Sequence, residues 1–341
     1  MFSFATAILF TLSAPISAQW LNYLTPGIPR NADGTPNLAG PPPRAANGKP
    51  ELSGLWRINT GLAYSLNIVA DLRPDETVSW AADFYRQRVE SLAKDYTETQ
   101  CLPLGIQRTL RGFAKIIQTP SLIVLLFEDL SYRQIFLDDR GLPQAPNPSF
   151  MGYSVGHWDD DTLVVESTGY NDRTWLDLGG HPHTESMQIT ERWHRKSFGQ
   201  IDLQVRFEDP SAYTRSWTVP VNIRLAPDTE LLEAVCNENE KDRAHFQGPR
   251  AEKKVTLSPE VLPQYAGVFE SEGPIRSLQV TFSNGQLFSD FDGKGHVPLI
   301  PVGEAQFSFG PDVLEFLKDD HGNVTEARFA ATGRQRFTRK Q

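Results

Sequence analysis

The sequence predicts a mainly β protein: two antiparallel barrel-like domains, one surface helix and an extended N-terminal arm. Three observations carry this. From residue 122 to residue 338 short apolar segments recur between Gly-, Pro- and Asp-containing clusters, the punctuation of an antiparallel barrel or sandwich. Only one stretch keeps a helical apolar period over several turns. The strand-like pattern also begins twice, at Leu52-Ser-Gly54-Leu-Trp56 and at Tyr265-Ala-Gly267-Val-Phe269, each time with a glycine two residues ahead of a large aromatic.

Taken in order, residues 1–18 hold an uncharged apolar run from Phe2 to Leu12, then Pro15 and the small residues Ser17 and Ala18. This reads as a secretory signal cleaved near Ala18. Residues 19–53 form a Pro- and Gly-rich arm, in which PRNADGTPNLAG (29–40) returns as PRAANGKPELSG (43–54). Such a segment is expected to run extended over the surface, with turns at Asp33-Gly34 and Asn47-Gly48. A helix is expected from about Asp75 to Lys94, because Val78, Ala81, Tyr85, Val89 and Leu92 recur at spacings of three and four. Strands follow at 122–127, 132–137, 162–167, 185–195, 201–207 and 217–224. The charged segment 237–254 separates a larger barrel (54–250) from a smaller one (255–341), with turns at Ser283-Asn284-Gly285 and His321-Gly322-Asn323.

Composition restricts the function. A formal charge of −9, with Lys and Arg dispersed, gives no basic footprint for nucleic acid. No segment after the N-terminus approaches the roughly 18 apolar residues of a membrane span, so an exported protein, periplasmic or extracellular, without an integral span is expected. Cys101 and Cys236 are the only cysteines. In an oxidising compartment they are expected to pair; two buried free thiols are the alternative. Gly-x-Ser-x-Gly, P-loop and dinucleotide fingerprints are all absent from the sequence.

The paired Gly-x-aromatic openings are similar to the Gly-x-Trp start of lipocalin-like barrels, and residues 259–338 resemble the small barrel appended to exported serine hydrolases of the β-lactamase and peptidase type. Further runs resemble a family of uncharacterised exported bacterial proteins over residues 20–250: GYSVGHW (152–158), DTLVVE (161–166), GYNDRTWLD (169–177), HPHTE (181–185), and shorter matches around Cys101 and Cys236. That resemblance implies class and compartment and no particular activity.

The densest chemistry lies in NDRTWLDLGGHPHTE (171–185). An acid/base site is one reading, with His181, His183, Glu185 and Glu191 as catalytic groups and His157, Asp172, Arg173, Trp175 and Asp177 orienting or binding substrate. Alternation along 185–193 puts Glu185, Met187, Ile189, Glu191 and Trp193 on one apolar face, so both carboxylates would enter the barrel and need a cation such as Arg173 or Arg195. Burial there raises a carboxyl pKa towards useful values. A second reading is a divalent metal such as zinc on His181 and His183, with a third ligand from His157, Asp172 or Asp177, since His181 and Glu185 lie roughly 13 Å apart on a straight strand. A third is a polar turn in which Asp172, Arg173 and Asp177 cap and pair. Aromatics at 11% and a barrel cavity suit a small, partly apolar organic molecule. The expected function is therefore acid/base chemistry on such a molecule, of lyase, isomerase, cyclase or hydrolase type, with a non-catalytic binding protein as the alternative.

Overall fold

The computed structural model describes residues 24–92, 94–236, 255–310, 312–330 and 335–340. The expected signal at 1–18 and the charged segment 237–254 lie outside them. Two barrels form. The first closes through β1 (Gly54–Asn59), β2 (Arg111–Gln118), β3 (Leu122–Phe127), β4 (Tyr132–Phe136), β5 (Tyr153–Asp159), β6 (Thr162–Thr168), β7 (Gln188–Ser197), β8 (Gln200–Glu208) and β9 (Trp217–Leu225), with β9 paired back onto β1. The second runs in the same up-and-down order from β10 (Gly267–Glu270) to β17 (Arg336–Arg339). Period-two patterning explains these elements: in β9 the residues alternate buried and exposed from Trp217 to Leu225 without a break.

The first barrel is filled, not hollow. Trp56, Phe127, Trp193, Phe207 and Trp217 belong to one continuous buried cluster with aliphatic residues of every strand except β5. Large rings and aliphatic side chains therefore occupy the interior where an aromatic-lined cavity is expected from the sequence. One end of each barrel is closed alike. Arg195 lies over the Trp56 ring at 4.9 Å and donates to the carbonyls of Glu51 and Phe198. Arg339 lies over Phe269 at 5.7 Å and donates to Gln264 and Ala266. Gly54, at φ +144, is needed because a Cβ there would sit 3.0 Å from Leu225 and 3.2 Å from the Trp56 indole.

One pairing departs from the antiparallel rule. β4 and β5 run parallel and share only Ile135↔Ser154 and Phe136↔Val155. The connection between them contains Pro143, Pro146 and Pro148; it carries the chain, extended, back to the far end, from which β5 can only start parallel. Tyr132 to Gln134 pair with β3 on one side and, among the described residues, have no strand partner on the other. The barrel wall is split there.

The arm repeat is structural. Arg30↔Pro36 and Arg44↔Pro50 form matching bridges. Each arginine reaches the carbonyl of its own turn glycine, Gly34 or Gly48, and then an aspartate on the barrel, Asp228 or Asp161. The helix α2 spans Ser79–Glu90 and is shorter than expected. Its first residues are drawn off: Glu76 caps the Arg73 backbone at 2.8 Å and Thr77 bridges to Tyr213. A further short helix, α1 (Leu62–Leu66), inserts Leu66 into the core of the second barrel.

Candidate functional site

The loop 171–185 folds back on itself around Asp177. One oxygen of this buried carboxylate accepts the backbone N–H groups of Gly180 (2.9 Å) and His181 (3.1 Å). The other accepts the Ile68 N–H at 2.7 Å and faces His181 Nδ1 at 2.6 Å. His181 is stacked on Tyr85 of α2, with centroids 4.0 Å apart. His183 turns elsewhere: its Nε2 meets Thr174 Oγ1 at 2.8 Å and its Nδ1 meets the Thr184 carbonyl at 3.3 Å, which places the proton on Nδ1 and the acceptor at Nε2. Burial pulls the His183 pKa below its ordinary 6.5. Asp209 holds Thr184 through its N–H (2.6 Å) and hydroxyl (2.7 Å). Arg88 donates to the Gly180 carbonyl and lies over Trp175.

The bend at Gly179-Gly180 thus brings His181 to Asp177, but the expected carboxylates do not join them. Glu185 is exposed in the turn before β7, because the strand starts only at Gln188 and alternation does not extend back to residue 185. Glu191 does point inward, with Ile189, Trp193 and Arg195. Its cation is Arg133, not the expected Arg173 or Arg195: Arg173 is exposed and Arg195 caps the barrel end. His157 and Asp172 are exposed, while Trp175 is buried against Tyr96. Among the described residues no group of three or more His, Cys, Asp or Glu is placed to hold a metal ion. Cys101 and Cys236 form a disulfide with Cα atoms 5.5 Å apart.

A second polar cluster sits inside the first barrel. Arg133 of β4 forms a two-pronged pair with Glu191 of β7, at 3.0 and 2.5 Å, with both side chains at most 1% exposed. Burial works against the guanidinium charge, but the Glu191 carboxylate outweighs it and holds Arg133 above its ordinary value. Arg133 Nε donates to Ser154 Oγ (3.1 Å) and Nη2 to Ser167 Oγ (2.9 Å), and Ser167 donates to Ser154 at 2.8 Å. The buried Tyr170 hydroxyl adjoins Ser167 without a well-formed hydrogen bond; burial pushes its pKa up to about 12.

This network lies beneath the split between β4 and β5. A cleft of about 440 Å³ opens there, lined by Leu130, Tyr132, Phe136, Phe150, Met151 and Tyr153, with Arg133 and Ser154 in its wall. Phe136 and Tyr153 stack at 5.3 Å and form one aromatic side. Gly152 keeps the wall thin: a Cβ there would fall 2.9 Å from the Tyr170 ring. A neighbouring cavity of about 410 Å³ lies along the disulfide and shares Pro103 and Ser131 with the cleft. Of the exposed large apolar side chains, Leu102, Leu130, Tyr132 and Val235 all border these two spaces, an accumulation typical of a binding surface. Sequence reading missed Arg133, Ser154, Ser167 and Tyr170. The signal was present in Tyr-Arg133-Gln-Ile135-Phe, where an arginine shares the inward face with isoleucine, opposite in charge to the inward Glu191.

No family model matches the sequence, and no curated protein matches it. Among solved structures the chain is similar to SurE with D-Leu, at 13% identity and a TM-score of 0.22 over 45% of this chain and 35% of that one. It is similar also to SurE alone, at 13% identity and 0.22, over 46% and 37%. The match spans little more than a third of those chains and says nothing about fold or activity.

Proposed function

We propose that this is an exported protein that binds a small, partly apolar organic molecule in the cleft at the β4–β5 split. The observation that carries this reading is an apolar, partly aromatic cavity of about 440 Å³ set over a buried, charge-balanced polar network, the usual make-up of a ligand site. The Cys101–Cys236 disulfide suits an oxidising compartment, and no helix among the described residues is long and apolar enough to cross a membrane. Titration with the neutral apolar dye Nile red tests the proposal. Saturable one-to-one binding is expected, weakened about tenfold or more by Tyr132→Glu, a side chain 59% exposed whose change spares the core. Non-saturable binding, or equal affinity in the variant, overturns it.

A second reading is acid/base turnover through His181, favoured by its Nδ1 contact with Asp177 at 2.6 Å. That contact orients the ring and leaves Nε2 as a base, as in other Asp–His pairs. Here His181→Gln abolishes turnover of any substrate found while Nile red affinity stays within about twofold; unchanged turnover rejects the reading.

A further inference from the structure

We propose that the ligand of this cleft is an extended peptide that adds a short strand to the open edge of β4, sets an apolar side chain against Phe136 and Tyr153, and directs a lysine or arginine at Glu233. This rests on the binding function proposed above and names the class of ligand. The pairing of β3 with β4 decides which main-chain groups of β4 are spare. Phe127 donates to the Ser131 carbonyl and Leu137 to that of Ser121. In this antiparallel register, residues 131, 133, 135 and 137 therefore direct N–H and C=O at β3, while 132, 134 and 136 direct theirs at the split. The short parallel step, Ile135↔Ser154 and Phe136↔Val155, takes up the Gln134 carbonyl and the groups of Phe136. The N–H of Gln134 and the N–H and C=O of Tyr132 remain, in one row, facing no strand among the described residues. Both residues are exposed.

The gap is held open from its other side. Ser149 donates to the Gly169 carbonyl and accepts from the Asn171 N–H, both at 2.9 Å, so the chain leading into β5 is bonded away from β4. Gly152 makes the turn at φ +65, where a Cβ would meet the Thr168 carbonyl at 2.8 Å. An open, solvent-facing strand edge is matched by another extended main chain.

Charge and shape select its side chains. Past Ser131 the cleft adjoins the cavity along the disulfide. There Arg108 is paired with Asp129 at 2.8 Å and Glu98 with Arg111 at 3.2 Å, whereas the exposed Glu233 has no ion pair among the described residues. One carboxylate is left over for a cation, and Leu102 and Val235 in the same wall suit the aliphatic stem of a lysine. At the other end the stacked Phe136 and Tyr153 receive an apolar side chain. Side chains alternate along a strand, so the apolar and basic residues lie an even number of positions apart, with small residues between them turned towards the barrel.

The probe is acetyl-Phe-Ala-Val-Ala-Lys-amide, with its reversed sequence covering the opposite strand direction and norleucine in place of lysine as the uncharged control. One of the two lysine peptides is expected to displace Nile red competitively. Amide exchange at Tyr132 and Gln134, followed by NMR, is expected to slow about tenfold or more in that complex. The norleucine peptide should bind about threefold more weakly, the scale of an exposed ion pair, and Glu233→Gln should abolish the difference. Saturable Nile red binding that neither lysine peptide displaces overturns the peptide assignment and leaves the cleft function standing; loss of saturable Nile red binding itself removes both. Peptide binding with Tyr132 and Gln134 exchanging as fast as in the free protein overturns the strand addition. Equal affinities of the lysine and norleucine peptides overturn the role of Glu233, a comparison that needs no change in the protein.

Discussion

At the level of single residues, the Arg133–Glu191 pair is the most consequential feature of the first barrel. A buried pair gains little over a packed apolar replacement, yet removing one partner strands a charge. Glu191→Gln should therefore lower the unfolding free energy by about 3–5 kcal/mol in urea titration. Replacing both residues together, by Arg133→Met with Glu191→Leu, should recover most of that loss. His183 makes a pH-dependent contribution. Its folded pKa lies below the ordinary 6.5, so below that pH the unfolded chain takes up a proton that the folded one refuses. Stability then falls as pH falls, with a slope of up to about 1.4 kcal/mol per pH unit. His183→Gln should flatten the wild-type decline measured between pH 6.5 and 5; an unchanged slope would contradict this origin. Glu191's inward direction was legible from the alternation Ile189-Glu191-Trp193. Its partner was not, because pairing β4 with the far strand β7 depends on barrel closure, which no local pattern encodes.

Among the elements, short strands with strict alternation were legible: the expected 122–127 is β3, and 217–224 differs from β9 by one residue. β2 escaped notice because Arg111–Gln118 mixes half-buried Arg, Gly and Lys with its apolar residues. The helix was found but overextended, since tertiary bonds at Glu76 and Thr77 overrode the apolar period. The arm repeat was visible as sequence, though not the paired arginine clamps it builds. The disulfide belongs to this level too. It ties Cys236, beyond β9, to the turn before β2, and Ala234 donates to the Glu128 carbonyl at 2.7 Å. With a sequence separation of 135, closing this loop stabilises by at most about 5 kcal/mol on chain-entropy grounds. Replacing both cysteines by serine should lower the unfolding free energy from urea titration by up to that amount, without shifting its dependence on pH.

For the whole molecule, the informative region is the seam between the barrels. Leu66 is buried in the second core, Asn67 donates to the Gly295 carbonyl, and Lys294 reaches Tyr64 and Asp71. The loop around residue 179 is wedged in: a Cβ on Gly179 would lie 2.2 Å from the Leu66 carbonyl. The motif HPHTE, which reads as chemistry in the sequence, is thus built into this seam through Asp177 and Ile68. Leu66→Ala should cost about 2–5 kcal/mol and split one calorimetric transition into two; a single transition shifted as a whole would show the barrels remain coupled by other contacts. Two barrels and their order were legible from the repeated Gly-x-aromatic openings. The filled interior was not, because alternation reports which residues face inward and not whether they meet. The binding site we propose accordingly lies at the split in the barrel wall and not in its mouth. Backbone amide shift mapping of the labelled protein with a mixture of neutral aryl fragments tests this most directly. Perturbations concentrated at residues 130–136 and 149–154 are predicted, whereas perturbations confined to 171–185 or to the second barrel, with the cleft silent, would contradict it.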